Sequence, residues 1–175
     1  KSAINEFKDV HLYPDGDGKQ LKSKISEVEL LSDKNIILGN GSNEILEIVS
    51  QTFLSERSEC IFSKHAFVVY KLAAKVRGCN FHEVEAKSWR HDLDKFLEHI
   101  NENTRIIFIA NPNNPTGTYL THYEIDKFLQ KVSSDIIVVI DLAYYEYVTA
   151  DDYINTLEIL NNYKNVLITK SFSKI

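Results

Sequence analysis

Apolar positions in this chain fall into short continuous runs, separated by stretches in which they recur every three or four residues. The runs are Ile36-Ile37-Leu38, Cys60-Ile61-Phe62, Phe81 to Val84, Arg105-Ile106-Ile107-Phe108-Ile109, Ile136-Ile137-Val138-Val139-Ile140 and Val166-Leu167-Ile168-Thr169. Runs of this length predict strands, and those that are apolar throughout predict strands buried on both faces. The intervening positions Leu21, Ile25, Val28 and Leu31 predict a helix, as do Ile45, Leu46, Ile48, Val49 and Phe53. Further helices are predicted from about Ala66 to Val76, over Leu93, Phe96, Leu97 and Ile100, from Glu124 to Val132, and from Tyr153 to Leu160. Ser42 is placed to cap the second of these helices and Gly78 to stop the third. Strands alternating with helices predict the α/β class, with three α/β/α layers around a mostly parallel sheet. Residues 1–18 show no period and end in Tyr13-Pro14-Asp15-Gly16-Asp17-Gly18, an extended arm closing in turns. Residues 19–175 are expected to form one domain.

Composition sets limits. A chain of 175 residues, 43% hydrophobic and 26% charged, has the make-up of a soluble globular domain with a sizeable core. Its net charge of −5, without a basic run, argues against nucleic acid or an anionic membrane as partner. No apolar stretch approaches the roughly 20 residues of a spanning helix, and no signal peptide is visible. Cys60 and Cys79 lack metal or redox spacing and read as reduced packing thiols of a cytosolic protein. His82, His91, His99 and His122 show no ligand spacing, so no metal is expected. Trp89, Tyr145, Tyr147, Tyr153 and Tyr163 read as packing or surface residues.

Chemistry is concentrated where strands end. After Ile109 comes Ala110-Asn111-Pro112-Asn113-Asn114-Pro115-Thr116-Gly117, whose prolines and glycine exclude helix and ladder alike. Ligands of open α/β sheets sit at such carboxyl-terminal strand ends. The strand ending at Ile140 delivers Asp141, then Ala143-Tyr144, and a carboxylate at a buried strand tip needs a positive partner. The last strand delivers Ser171-Phe172-Ser173-Lys174. Gly39-Asn40-Gly41-Ser42-Asn43-Glu44 opens a helix whose free N–H groups suit a phosphate. Each feature alone also fits a local role: a plain turn, a turn or cap aspartate, a solvated lysine, a simple N-cap. Together, an acid, an amine, a polar asparagine and an anion cradle are the parts that pyridoxal phosphate requires.

The set Asn111 to Gly117, Asp141-Leu142-Ala143-Tyr144 and Ser171-Phe172-Ser173-Lys174, in that order, resembles the class I/II aminotransferases of fold type I. With Asn40-Gly41-Ser42-Asn43-Glu44 and Tyr13-Pro14-Asp15 added, it is most similar to the histidinol-phosphate aminotransferase branch. The resemblance implies that Lys174 bonds the cofactor aldehyde and then shuttles a proton between Cα and C4′. It implies that Asp141 pairs with the protonated pyridine nitrogen, and that Asn114 and Tyr144 hydrogen-bond the ring hydroxyl. The amides of Ser42 and Asn43 and the hydroxyls of Ser171 and Ser173 are implied phosphate ligands, and Phe67 the residue stacked on the ring. Tyr13 is implied to reach the phosphate held by a neighbouring subunit, hence a homodimer. The implied reaction transfers the amine of a small donor, histidinol phosphate, to 2-oxoglutarate in histidine biosynthesis.

Three features depart from that pattern. Leu142 stands where glutamate is common, and Ser63-Lys64-His65 precedes Phe67 where a proline turn is usual. Family members run about twice as long, and the arginines expected for phosphate and substrate carboxylate are absent. The chain is therefore expected to be the amino-terminal part of the large domain and not to transaminate alone. Aromatic or broad-range transamination, threonine-phosphate decarboxylation and a relict, cofactor-free interaction domain are the competing expectations.

Overall fold

The computed structural model describes residues 11–174. The first ten residues of the expected arm and Ile175 lie outside the described residues. The chain divides into two compact units, one ending at Leu38 and the other starting at Gly39.

The amino-terminal unit holds helix α1 (Lys19–Glu29) and a short 3-10 turn at Asp33–Asn35. The Asp15 carboxylate accepts from the backbone N–H groups of Lys19 at 2.9 Å and Asp17 at 3.1 Å, and these bonds hold its carboxyl below the usual range. Ile36-Ile37-Leu38 does not form the expected strand. The segment pairs with none of the five strands, and the Ile36 N–H donates to the Asp33 carbonyl at 3.1 Å.

From Gly39 onward the elements are α2 (Gly41–Phe53), β1 (Glu59–Ser63), α3 (Val69–Val76), β2 (Asn80–Val84), α4 (Leu93–Glu98), β3 (Thr104–Ala110), α5 (His122–Leu129), β4 (Ile137–Asp141), α6 (Thr156–Asn162) and β5 (Val166–Thr169). The strands form one sheet in the order β2-β1-β3-β4-β5, and every pairing is parallel. Two helices begin later than their periodicity suggested. After β1 the chain turns through Ser63 to Ala66, so α3 starts at Val69 and Phe67 precedes it on a loop. α6 starts at Thr156 because the Asn155 side chain caps it, accepting from Glu158 N–H at 3.2 Å.

Strand alternation sorts the core into two layers. Ile61, Ile107, Ile109, Val138 and Ile140 face one way and join Phe96, Ile125, Phe128 and Ile159 from α4, α5 and α6. Cys60, Phe62, Ile106, Phe108, Ala110 and Val139 face the other way and join Leu46, Val49, Tyr70 and Ala74 from α2 and α3. Both cysteines are free and buried, and the hydrogen bond to Cys79 together with burial pushes the Cys60 thiol up. Leu142 is fully buried in the first layer with Ile140, so the missing glutamate is replaced by apolar packing. Among the described residues no helix is long and apolar enough to cross a membrane.

Candidate active site

β3 and β4 end side by side, with Ala110 paired to Asp141. Beyond β3 the asparagines of the turn divide their work. The buried Asn111 side chain accepts from Leu120 N–H at 2.8 Å and donates to Leu120 carbonyl at 3.1 Å. Asn113 donates to Thr116 Oγ1 at 2.8 Å and to the His65 carbonyl at 3.0 Å. Gly117 reverses the chain at φ 70°, a conformation costly for other residues. The Tyr153 hydroxyl donates to the Asn111 carbonyl. His91, buried behind the turn, bonds the Ala110 carbonyl through Nε2 at 2.8 Å. The side chain of Asn114 makes no hydrogen bond among the described residues, and it lines the pocket described next.

That pocket is lined by Ser42, Asn43, Phe67, Ala110, Asn114, Asp141, Tyr144 and Lys174, with Pro112 and Ala143. A wider cleft adjoins it across Pro112, Asn114 and Tyr144, but the acid and the amine are in the smaller one. Asp141 is 5% exposed. Its Oδ2 accepts from the Tyr70 hydroxyl at 2.8 Å, and its Oδ1 accepts from Thr169 Oγ1 at 3.0 Å and Ala143 N–H at 3.2 Å. Burial pushes this carboxyl above its ordinary value, while the three hydrogen bonds pull it back. It forms no salt bridge among the described residues, and the positive charge of Lys174, in the same pocket, also pulls its carboxyl down. Burial and the Asp141 charge push the Tyr70 phenol far up, which keeps it a proton donor. The Lys174 ammonium stands 5.7 Å from the centre of the Tyr144 ring.

The start of α2 completes the pocket wall. Asn40, not Ser42, occupies the cap position, and no side chain caps the helix. Glu44 instead reaches back to accept from Asn40 N–H at 2.6 Å, half of a capping box. Gly41, at φ 76°, makes the turn into the helix. Ser42 and Asn43 of the first turn line the pocket, and N–H groups of a helix start without a side-chain cap suit an anion. An uncapped helix start, a buried acid without a direct salt bridge among the described residues and an asparagine amide without a hydrogen bond there fit the phosphate, ring nitrogen and ring hydroxyl of pyridoxal phosphate.

The family described as aminotransferase class I and II matches residues 1–175, the whole chain. The chain belongs to the class I and II aminotransferases. Within this family it is 45% identical over 174 residues to histidinol-phosphate aminotransferase 1 of Mannheimia succiniciproducens, covering 99% of this chain and 48% of that protein. It is 43% identical over 164 residues to histidinol-phosphate aminotransferase of Halalkalibacterium halodurans, covering 94% and 44%. The chain thus spans about half the length of the curated relatives it matches. A histidinol-phosphate aminotransferase of Sinorhizobium meliloti, solved in complex with pyridoxal-5'-phosphate, superposes with a TM-score of 0.92 at 24% identity, covering 98% of this chain and 47% of that one. At that identity the likeness shows the α/β fold.

Seven of the ten positions read from the aminotransferase resemblance line one pocket: Ser42, Asn43, Phe67, Asn114, Asp141, Tyr144 and Lys174. Ser171 and Ser173 are not among its lining residues; their hydroxyls pair with each other at 2.8 Å. Tyr13 is fully exposed and belongs to the amino-terminal unit. Sequence reasoning missed Tyr70 and Thr169 as partners of Asp141. Both left a signal: Tyr70 follows Phe67 by three residues, and Thr169 ends a strand as Asp141 does.

Proposed function

We propose that residues 19–175 are the cofactor-binding part of a pyridoxal-phosphate aminotransferase that moves the amine of histidinol phosphate to 2-oxoglutarate. The observation that carries this is the convergence of Asp141, Lys174, Asn114 and the uncapped start of α2 on one pocket. The curated relatives, 40–45% identical and named histidinol-phosphate aminotransferases, support the choice of donor over a decarboxylase. The cofactor, when bound, supplies an aldehyde to hold the substrate amine and a ring that draws electrons from the α-carbon.

The chain's own groups do the rest. The N–H groups of Ser42 and Asn43 would hold the phosphate, and the Ser171 and Ser173 hydroxyls would join them only by giving up their bond to each other and turning toward the pocket. Phe67 would stack on the ring. Asp141 would hold a proton on the ring nitrogen, keeping the ring cationic. Asn114 and Tyr144 would hydrogen-bond the ring hydroxyl. Lys174 would hold the aldehyde carbon and serve as the base that moves the proton between Cα and C4′. The reading brings with it a cytoplasmic homodimer, in which Tyr13 of one copy reaches the phosphate held by the other.

The test uses the full-length protein that contains this segment. Histidinol phosphate should outcompete phenylalanine and threonine phosphate as amino donor to 2-oxoglutarate. A visible absorbance band at the blue edge should accompany the purified protein, and Lys174→Ala should abolish it. Absence of that band from protein made with pyridoxine would end the enzyme reading.

A further inference from the structure

Asp141 is held by a residue outside the pocket lining. Tyr70 is fully buried on α3, under the sheet face that carries Phe108 and Asp141. Its ring stacks on Phe108, with centroids 4.8 Å apart and planes 7° from parallel. The same ring meets Phe67 edge-on at 6.0 Å and 88°. Its hydroxyl donates to Asp141 Oδ2 at 2.8 Å. One rigid side chain therefore touches both the acid and the aromatic assigned to the cofactor ring.

We infer that Tyr70 is a positioning residue that aims the Asp141 carboxylate and sets how far it draws the proton from the ring nitrogen. This rests on the reading of Asp141 as partner of that nitrogen. A phenol donating to Oδ2 stabilises the charged carboxylate and weakens it as a base. The shared proton then stays on the nitrogen, and the ring remains the better electron sink. Thr169 and the Ala143 N–H act on Oδ1 alone, so Tyr70 is the protein donor on the other oxygen. A purely structural role would be served as well by phenylalanine, which keeps the stack on Phe108.

The test compares wild type, Tyr70→Phe and Asp141→Asn in the full-length protein. Three quantities are read: the ¹⁵N resonance of ring-labelled cofactor, the rate of substrate α-hydrogen exchange, and the ¹³C titration of the Asp141 carboxyl without cofactor. Tyr70→Phe should move the ring nitrogen toward its unprotonated resonance and shift the Asp141 titration upward. It should slow α-hydrogen exchange roughly tenfold, the scale of a hydrogen bond to a charged group. If Asp141→Asn moves the ring nitrogen and Tyr70→Phe moves neither resonance, this inference fails alone. If Asp141→Asn leaves the ring nitrogen unmoved, the underlying reading of Asp141 fails and takes this one with it. Should Tyr70→Phe not fold, 3-fluorotyrosine at Tyr70 keeps the shape and strengthens the donor. It should shift the Asp141 titration downward, and no shift overturns the inference.

Discussion

Three asparagines of one turn show how neighbouring residues of the same type part ways. Asn111 replaces a strand partner for Leu120, and Asn113 ties the turn to His65. Asn111→Ala should destabilise the fold by about 2 kcal/mol or more, because it strips two bonds and strands buried groups of Leu120. Asn114→Ala should leave the melting temperature nearly unchanged and weaken cofactor binding, since its amide bonds nothing in the described chain. Equal melting losses in both variants would refute the division. Glu124 gives a titrating example. It caps α5 through Thr121 and receives Arg90 at 2.6 and 2.7 Å, and those bonds hold its carboxyl at about 2, against an ordinary 4.5. A depressed carboxylate contributes stability above its unfolded value, and that stability is lost as pH falls toward the folded one. Wild type should therefore lose melting temperature between about pH 4.5 and 2 more steeply than Glu124→Gln does.

Elements bring function through their ends. α2 starts without a side-chain cap, and the cap that sequence suggested for Ser42 is absent because Asn40 holds that position and pairs with Glu44. Gly41→Ala forces an L side chain into φ 76° and should cost about 1 kcal/mol of stability while raising the dissociation constant for pyridoxal phosphate. Inorganic phosphate should compete with the cofactor in wild type and less well in this variant. β4 and β5 end level with one another, Asp141 beside Thr169, and this register lets a threonine hydroxyl reach the acid. Five of the six expected strands formed where apolar runs announced them. The sixth, Ile36 to Leu38, shows that a run of apolar residues becomes a strand only where a neighbour supplies the ladder.

At the scale of the molecule, the described residues that make up both apolar layers all come after Gly39. A chain beginning at Gly39 should accordingly keep a cooperative unfolding transition and the helix signal of α2 to α6. Loss of that transition would show that residues before Gly39 are needed for the core. The order of elements, the parallel sheet and the chemistry at strand ends were legible in the sequence alone, because period and turn residues are local properties. So was the candidacy of an acid and a distant lysine for one site, through a residue pattern shared with a family, and both line one pocket. What the sequence did not reveal is which side chains close around that acid. Tyr70 and Asp141 lie 71 positions apart, and only the packing of α3 over β3 and β4 brings the phenol to the carboxylate. The resemblance had already singled out Asn114, but why it stays without a partner among the described residues is seen only in three dimensions, where Leu120 and His65 engage Asn111 and Asn113. Local pattern determines which elements form; burial and hydrogen-bond satisfaction across distant segments determine which residues remain to meet a ligand.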